Sequence, residues 1–132
     1  MTTLTAGGLY AFLTQPPIAA LGDRVYPRRL PRDAVLPAVT YRRIDTVRGR
    51  SHSGPDGLAT PRIQLDIWAT DPDVADAIAE AIRIRIDGYR GQMGDVPVGS
   101  VELVGDVDDD DPETGLYRRV LDVSITHEEA VA

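Results

Sequence analysis

The side chains able to do chemistry are few, and most of them are carboxylates. Asp106, Asp108, Asp109, Asp110, Asp111 and Glu113 crowd into one short stretch. Packed carboxylates repel unless a cation or solvent relieves them, and hard oxygen ligands suit Ca²⁺ or Mg²⁺. The alternating ligands, turn glycine and closing glutamate of a helix-loop-helix calcium site are absent. The stretch therefore reads as a solvated turn between two strands, where aspartate also discourages unwanted strand pairing. His52 lies between Ser51 and Ser53, but adjacency in sequence does not place a hydroxyl for proton transfer, so it reads as part of a polar loop. His127 precedes Glu128 and Glu129; no second histidine stands at ligand spacing, and it reads as a solvated residue near the end of the chain. With Cys 0 there is no thiol nucleophile, disulfide or cysteine-held zinc. The glycines fit neither phosphate-cradling pattern. No catalytic residue, cofactor or metal ligand is assigned.

The cations point to contact, not catalysis. All 14 basic side chains are arginines, against 21 carboxylates, for a net charge of -7. Duplex affinity comes largely from phosphate neutralisation, so classical DNA-binding modules are disfavoured. Codon usage explains the missing lysine most simply, although the planar guanidinium also suits bidentate contacts at interfaces. Arg28 with Arg29, and Arg48 with Arg50, are expected to pair with carboxylates of this chain or of a neighbouring subunit.

The elements that would position these groups follow from composition and pattern. At 132 residues, 42% hydrophobic and 27% charged, residues 1–132 make one domain with one core. No apolar run is long enough to span a membrane, and Met1-Thr2-Thr3-Leu4 lacks the cationic and apolar regions of a signal peptide, so the protein is expected to stay where it is made. Residues 4–13 predict a short amphipathic helix that stops before Pro16-Pro17. Residues 23–37, broken by Pro27, Pro31 and Pro37, predict an extended connector studded with arginine. Residues 38–47, rich in Val, Thr, Tyr and Ile, predict the first strand. Residues 48–60 are too polar and glycine-rich to pack and read as a flexible loop. In residues 62–69, Ile63, Leu65, Ile67 and Ala69 alternate with polar neighbours or Trp68, the period of a half-buried strand. Asp71-Pro72 then caps a helix whose Val74, Ile78, Ile82 and Ile86 repeat every four residues, ending near Gly88. Residues 89–99 read as a loop, Val101 to Asp106 as a third strand, and Leu116 to Thr126 as a fourth paired to the third. Residues 128–132 read as a frayed tail.

The order α-β-β-α-β-β predicts an α+β, two-layer domain: a mainly antiparallel four-stranded sheet with helices on one face. Ile63, Leu65, Ile67, Leu121, Val123 and Ile125 should face Val74, Ile78, Ile82 and Ile86 across the core.

Two stretches carry a likeness to a known family. One is Arg62-Ile63-Gln64-Leu65-Asp66-Ile67-Trp68-Ala69 with the helix from Val74 to Arg83 and its close at Ile86-Asp87-Gly88-Tyr89-Arg90-Gly91. The other is Asp111-Pro112-Glu113-Thr114-Gly115-Leu116-Tyr117-Arg118-Arg119, followed by Leu121-Asp122-Val123-Ser124-Ile125-Thr126-His127. Together they resemble the tail completion, or tail terminator, family of long-tailed bacteriophages. The resemblance implies a non-enzymatic virion protein, assembled in the host cytoplasm, that forms a homo-oligomeric ring, a hexamer, at the head-proximal end of the tail tube. Such a ring would stop tube polymerisation, join the tail tube protein to the head or neck connector, and let DNA pass without sequence-specific binding. Acidic subunits suit such a channel, since phosphates slide past a like-charged wall. Arg48, Arg50, His52, Arg62, Arg118 and Arg119 are the candidate assembly-interface residues, with the 48–60 loop expected to settle only on a partner.

Two rival readings remain at this stage. One is a small cytoplasmic ligand-binding or enzymatic α+β domain with a pocket lined by Tyr41, Trp68 and Tyr117. The other is a metal-dependent adaptor built on the acidic stretch.

Overall fold

A computed structural model describes residues 6–129. The first element, α1 (Ala6–Thr14), buries Leu9, Phe12 and Leu13. The proline-rich connector that follows yields a three-residue strand, β1 (Val25–Pro27), parallel to the start of β2 (Ala38–Ser51) through Val25↔Val39. A tight turn leads into β3 (Gly54–Ala69), then α2 (Pro72–Ile86), β4 (Gly91–Met93), β5 (Val96–Asp108) and β6 (Tyr117–Glu128). The six strands form one sheet in the order β1-β2-β3-β6-β5-β4, antiparallel at every contact except β1–β2.

The helix α2 forms where the sequence places its signals. The Asp71 carboxylate accepts the Asp73 N–H at 2.8 Å, Pro72 supplies the first turn, and Arg83 and Arg85 complement the negative end of the helix dipole. Its Ala75, Ile78, Ala79, Ile82 and Ile86 are buried against one face of the central strands, where Leu65, Ile67, Leu121, Val123 and Ile125 are all 0% exposed. Burial of each large side chain contributes about 1.5–3 kcal/mol. The helices are tied together by Arg85, whose Nη1 donates to the Leu13 carbonyl at 3.0 Å. Phe12 adds an edge-on contact with Tyr89, ring centres 4.5 Å apart. Gly94 packs so closely that a Cβ there would lie 2.8 Å from the Gly8 Cα.

The expected four-stranded two-layer α+β sheet is corrected by this topology. Strand accounts for 52% of the described residues and helix for 19%, and the sheet is six-stranded and mixed. The two extra strands, β1 and β4, are three residues each and lie in segments read as connector and loop; Pro27 and the surrounding glycines hid them. The larger correction concerns residues 48–60, which are strand rather than flexible loop: β2 runs on to Ser51 and β3 begins at Gly54. The backbone ladder forms despite poor strand propensity because each arm lends the other its hydrogen bonds, from Arg48↔Ala59 to Ser51↔Gly54. At the far end Glu128 belongs to β6 and the Glu129 N–H bonds the Gly57 carbonyl at 2.8 Å. The predicted fraying of those two residues is therefore corrected, while residues 130–132 lie outside the described part, as does the Leu4 end of the expected first helix.

Candidate assembly surfaces

The β2–β3 hairpin is longer than the sheet that supports it. Pairing of β3 with β6 begins at Leu58↔Glu128, so the strand ends at 48–57 project beyond it as an arm. Arg48 pairs with the Glu129 carboxylate, Arg50 lies on the bulged β2 strand, and His52 sits exposed in the tip turn. Ser51 and Ser53 share a hydroxyl hydrogen bond of 3.1 Å and leave the imidazole unengaged by either, which gives no nucleophile–base pair. Between the pairs Arg48↔Ala59 and Arg50↔Pro55 the extra residues lie on β3, and Gly49 sits against the Asp56 carboxylate, which accepts the Leu58 N–H at 3.0 Å, so that a Cβ on Gly49 would make this side chain move. At the base of this arm Val47 is 65% and Leu58 44% exposed.

The sheet face away from α2 is polar. Here Trp68 donates from Nε1 to the Thr40 hydroxyl at 3.1 Å, and the Arg118 guanidinium lies 5.0 Å over its ring. Arg118 also reaches Asp66 at 3.4 Å and Asp109 at 3.1 Å. Arg62 pairs with Asp122 at 3.2 Å, and the Thr60 and Thr126 hydroxyls are 3.0 Å apart. Cross-strand polar pairs of this kind stabilise a face that no helix covers.

At the opposite end from the arm, the acidic stretch forms the β5–β6 connection. Asp111 closes the turn by accepting the Glu113 N–H at 3.0 Å and the Thr114 hydroxyl at 2.9 Å, contacts that hold its carboxyl below the usual range. Beside it Arg119 joins three elements, meeting Asp76 of α2 at 2.7 Å, Asp106, and Asp108 at 3.2 Å. Hydrogen bonding to Asp106 is the main cause that pushes its guanidinium pKa further up. The carboxylates thus relieve one another through arginine, and among the described residues no cluster of His, Asp or Glu can hold a metal ion.

The six candidate interface residues therefore separate into groups. Arg48, Arg50 and His52 gather on the arm, Arg62 and Arg118 on the polar face and Arg119 at the acidic end; Arg48, Arg62, Arg118 and Arg119 each pair with a carboxylate of their own chain. Sequence reasoning missed His127: it is not solvated but 2% exposed in β6, with Nδ1 2.9 Å from the Glu128 carbonyl and Nε2 without a partner. Its place in the alternation after Val123 and Ile125 was the available signal. The rival aromatic pocket does not form. Tyr41 lies on the helix-covered face, where its hydroxyl donates to the Ala6 carbonyl at 2.6 Å, and Trp68 faces the other way. Tyr117 lines a separate cavity of about 130 Å³ with Arg118 and Arg119.

A projecting arm, a polar sheet face and an ion-paired acidic end are the surfaces that the described residues present. The chain matches the family described as "Tail completion protein gp17" over residues 8–128. It belongs to that family, and is a structural component of the tail of a phage or phage-like virion. Among solved structures it is similar to a chain of the "Virion of native gene transfer agent (GTA) particle", with a TM-score of 0.67 and 14% identity over 81% of this chain and 80% of that one; at that identity the likeness is one of fold. No curated protein matches it. No described helix is long and apolar enough to cross a membrane.

Proposed function

We propose that the protein forms a homo-oligomeric ring, a hexamer, on the head-proximal end of the tail tube. The ring halts tube growth by covering its polymerising surface, and it offers a different surface to the head or neck connector. DNA passes through the ring without being read. Family membership over nearly the whole described chain is the observation that carries this reading. Two features of the molecule support it. The surfaces at the two ends of the sheet are unlike, an arm bearing Arg48 and Arg50 and a turn bearing Asp108 to Asp111, as a heterologous closed assembly requires. The net charge of -7 suits a passage from which phosphate is released. Residues 48–57, projecting from the sheet, are the segment proposed to engage the tube or the connector. The test is electron microscopy of particles produced without the protein: tails of uncontrolled length, unjoined to heads, are expected. Normal tails joined to filled heads would overturn the proposal.

A further inference from the structure

Both long strands at the margins of the sheet are only partly covered. The strand β1 pairs with β2 at Val39, Thr40 and Tyr41 alone, so no described strand lies outside residues 44–51. At the other margin, β4 pairs only with Val96, Pro97 and Val98. The end of α2 then covers the next part of β5: the Gly88 N–H bonds the Val101 carbonyl at 2.9 Å, and the Leu103 N–H bonds the Asp87 carboxylate at 3.1 Å. Beyond that, residues 104–108 run without a described neighbour on their outer side.

Proteins usually blunt such edges with bulges and charges; these two carry register shifts at Ile44, Gly49 and Val104, yet they also present exposed aliphatic side chains. Ile44 is 42% and Val47 65% exposed on β2; Val104 is 47% and Val107 57% exposed on β5. Their charges are opposite. From residue 42 onward β2 bears Arg42, Arg43, Arg48 and Arg50 against Asp45, with Arg48 paired to Glu129, whereas β5 ends in Asp106 and Asp108, both on Arg119, and runs into Asp109, on Arg118, and then Asp110 and Asp111. Two copies meeting β2 to β2, or β5 to β5, bring like charges together; β2 to β5 brings unlike charges together. The favoured contact is therefore heterologous, the kind that closes a ring.

Strand direction agrees. Three antiparallel steps, β2/β3, β3/β6 and β6/β5, make β2 antiparallel to β5 within one chain. A copy rotated about an axis along the sheet keeps its direction and presents β2 antiparallel to its neighbour's β5. The uncovered stretches lie at opposite ends of the sheet, so their pairing tilts the strands against the ring axis, as in closed barrels.

We propose that neighbouring copies join edge to edge, residues 44–51 of β2 in one adding as a strand beside residues 104–108 of β5 in the next. The proposal rests on the ring reading and supplies its interface. The absence of cysteine from the chain makes the test clean. The full-length double variant Val47→Cys/Val107→Cys is concentrated until native mass spectrometry shows oligomers, then treated with a short bismaleimide. A ladder of linked subunits ending at the ring is expected, with each single variant stopping at dimers or giving none. A mixture of the two single variants should give the 47–107 dimer. Oligomers without the ladder would overturn the edge pairing and leave the ring standing. Monomer at every concentration, without cross-links, would overturn both. As a second reading, Arg50→Glu should weaken assembly at least tenfold with an unchanged melting temperature; unchanged assembly counts against the proposal.

Discussion

Replacing Arg119 with leucine tests whether the acidic end of the sheet is held by one cation. The side chain is 20% exposed, and its three carboxylates come from two elements: Asp76 on α2 at 59% exposure, and Asp106 at 35% and Asp108 at 77% on β5. The two well-exposed partners contribute at most about 1 kcal/mol between them after solvent screening. The half-buried pair with Asp106 contributes about 1–2 kcal/mol, because its loss strips a charge-assisted hydrogen bond and leaves carboxylates facing one another. Arg119→Leu should thus cost about 2 kcal/mol, and a domain of this size should melt about 5–10 °C lower. Differential scanning calorimetry at neutral pH measures it. Adding Asp106→Asn to the variant removes one of the repelling charges and should restore roughly half of the loss, a coupling that a double-mutant cycle isolates. An Arg119→Leu protein that melts with the wild type would refute the clamp, and so would a double variant less stable than the single one.

Three further outcomes follow from particular contacts. Gly94→Val, at φ +61 and with a Cβ 2.8 Å from the Gly8 Cα, should lose about 2 kcal/mol or more in urea denaturation, and a loss no greater than an exposed loop substitution would show that α1 does not pack against this turn. Ile82→Asp, at a fully buried position of α2, should abolish cooperative unfolding; a soluble variant with a sharp melt would place the helix elsewhere. Because the Thr114 hydroxyl and the Glu113 N–H favour charged Asp111, its folded pKa lies below its unfolded one, so its stabilisation is complete above the ordinary value of 3.8 and fades as pH falls through the lower one. Wild type and Asp111→Ala should accordingly differ in urea midpoint at pH 7 and converge in strong acid, and a gap independent of pH would remove the carboxylate from the turn's account.

The parts of this fold that sequence disclosed are those whose hydrophobic period is unbroken. Residues 62–69 and the α2 repeat of Val74, Ile78, Ile82 and Ile86 announce themselves because one side of each is packed, Val74 partly and Ile78, Ile82 and Ile86 to near-zero exposure. The strands that stayed hidden lack that requirement. On the arm Arg48, Arg50 and Ser51 face solvent and Gly49 has no side chain, so nothing in side-chain pattern marks them, and their order comes from backbone pairing with Pro55 and Gly54. The strands β1 and β4 are too short for alternation to be counted. Candidate site residues were legible as types and illegible as roles: Arg48 and Arg118 look alike in sequence, and only the register of β6 against β3 sets Arg118 over Trp68.

The energy that keeps the chain folded is concentrated where α2 meets β3 and β6, whereas the arm is held mainly by its own ladder and the Glu129 contacts with Arg48 and Gly57. Surface changes on the arm should therefore leave the melting temperature within a degree or two while altering assembly, the separation expected when loosely supported segments carry recognition. Substituting Val47 and Leu58, which flank the arm at its base, together by serine makes the point: both are exposed, so thermal unfolding should hardly move, yet joining of tails to heads, counted by electron microscopy, should fall. Were the melt to collapse instead, the arm would belong to the core, and the separation of folding from recognition argued from its exposure would be wrong.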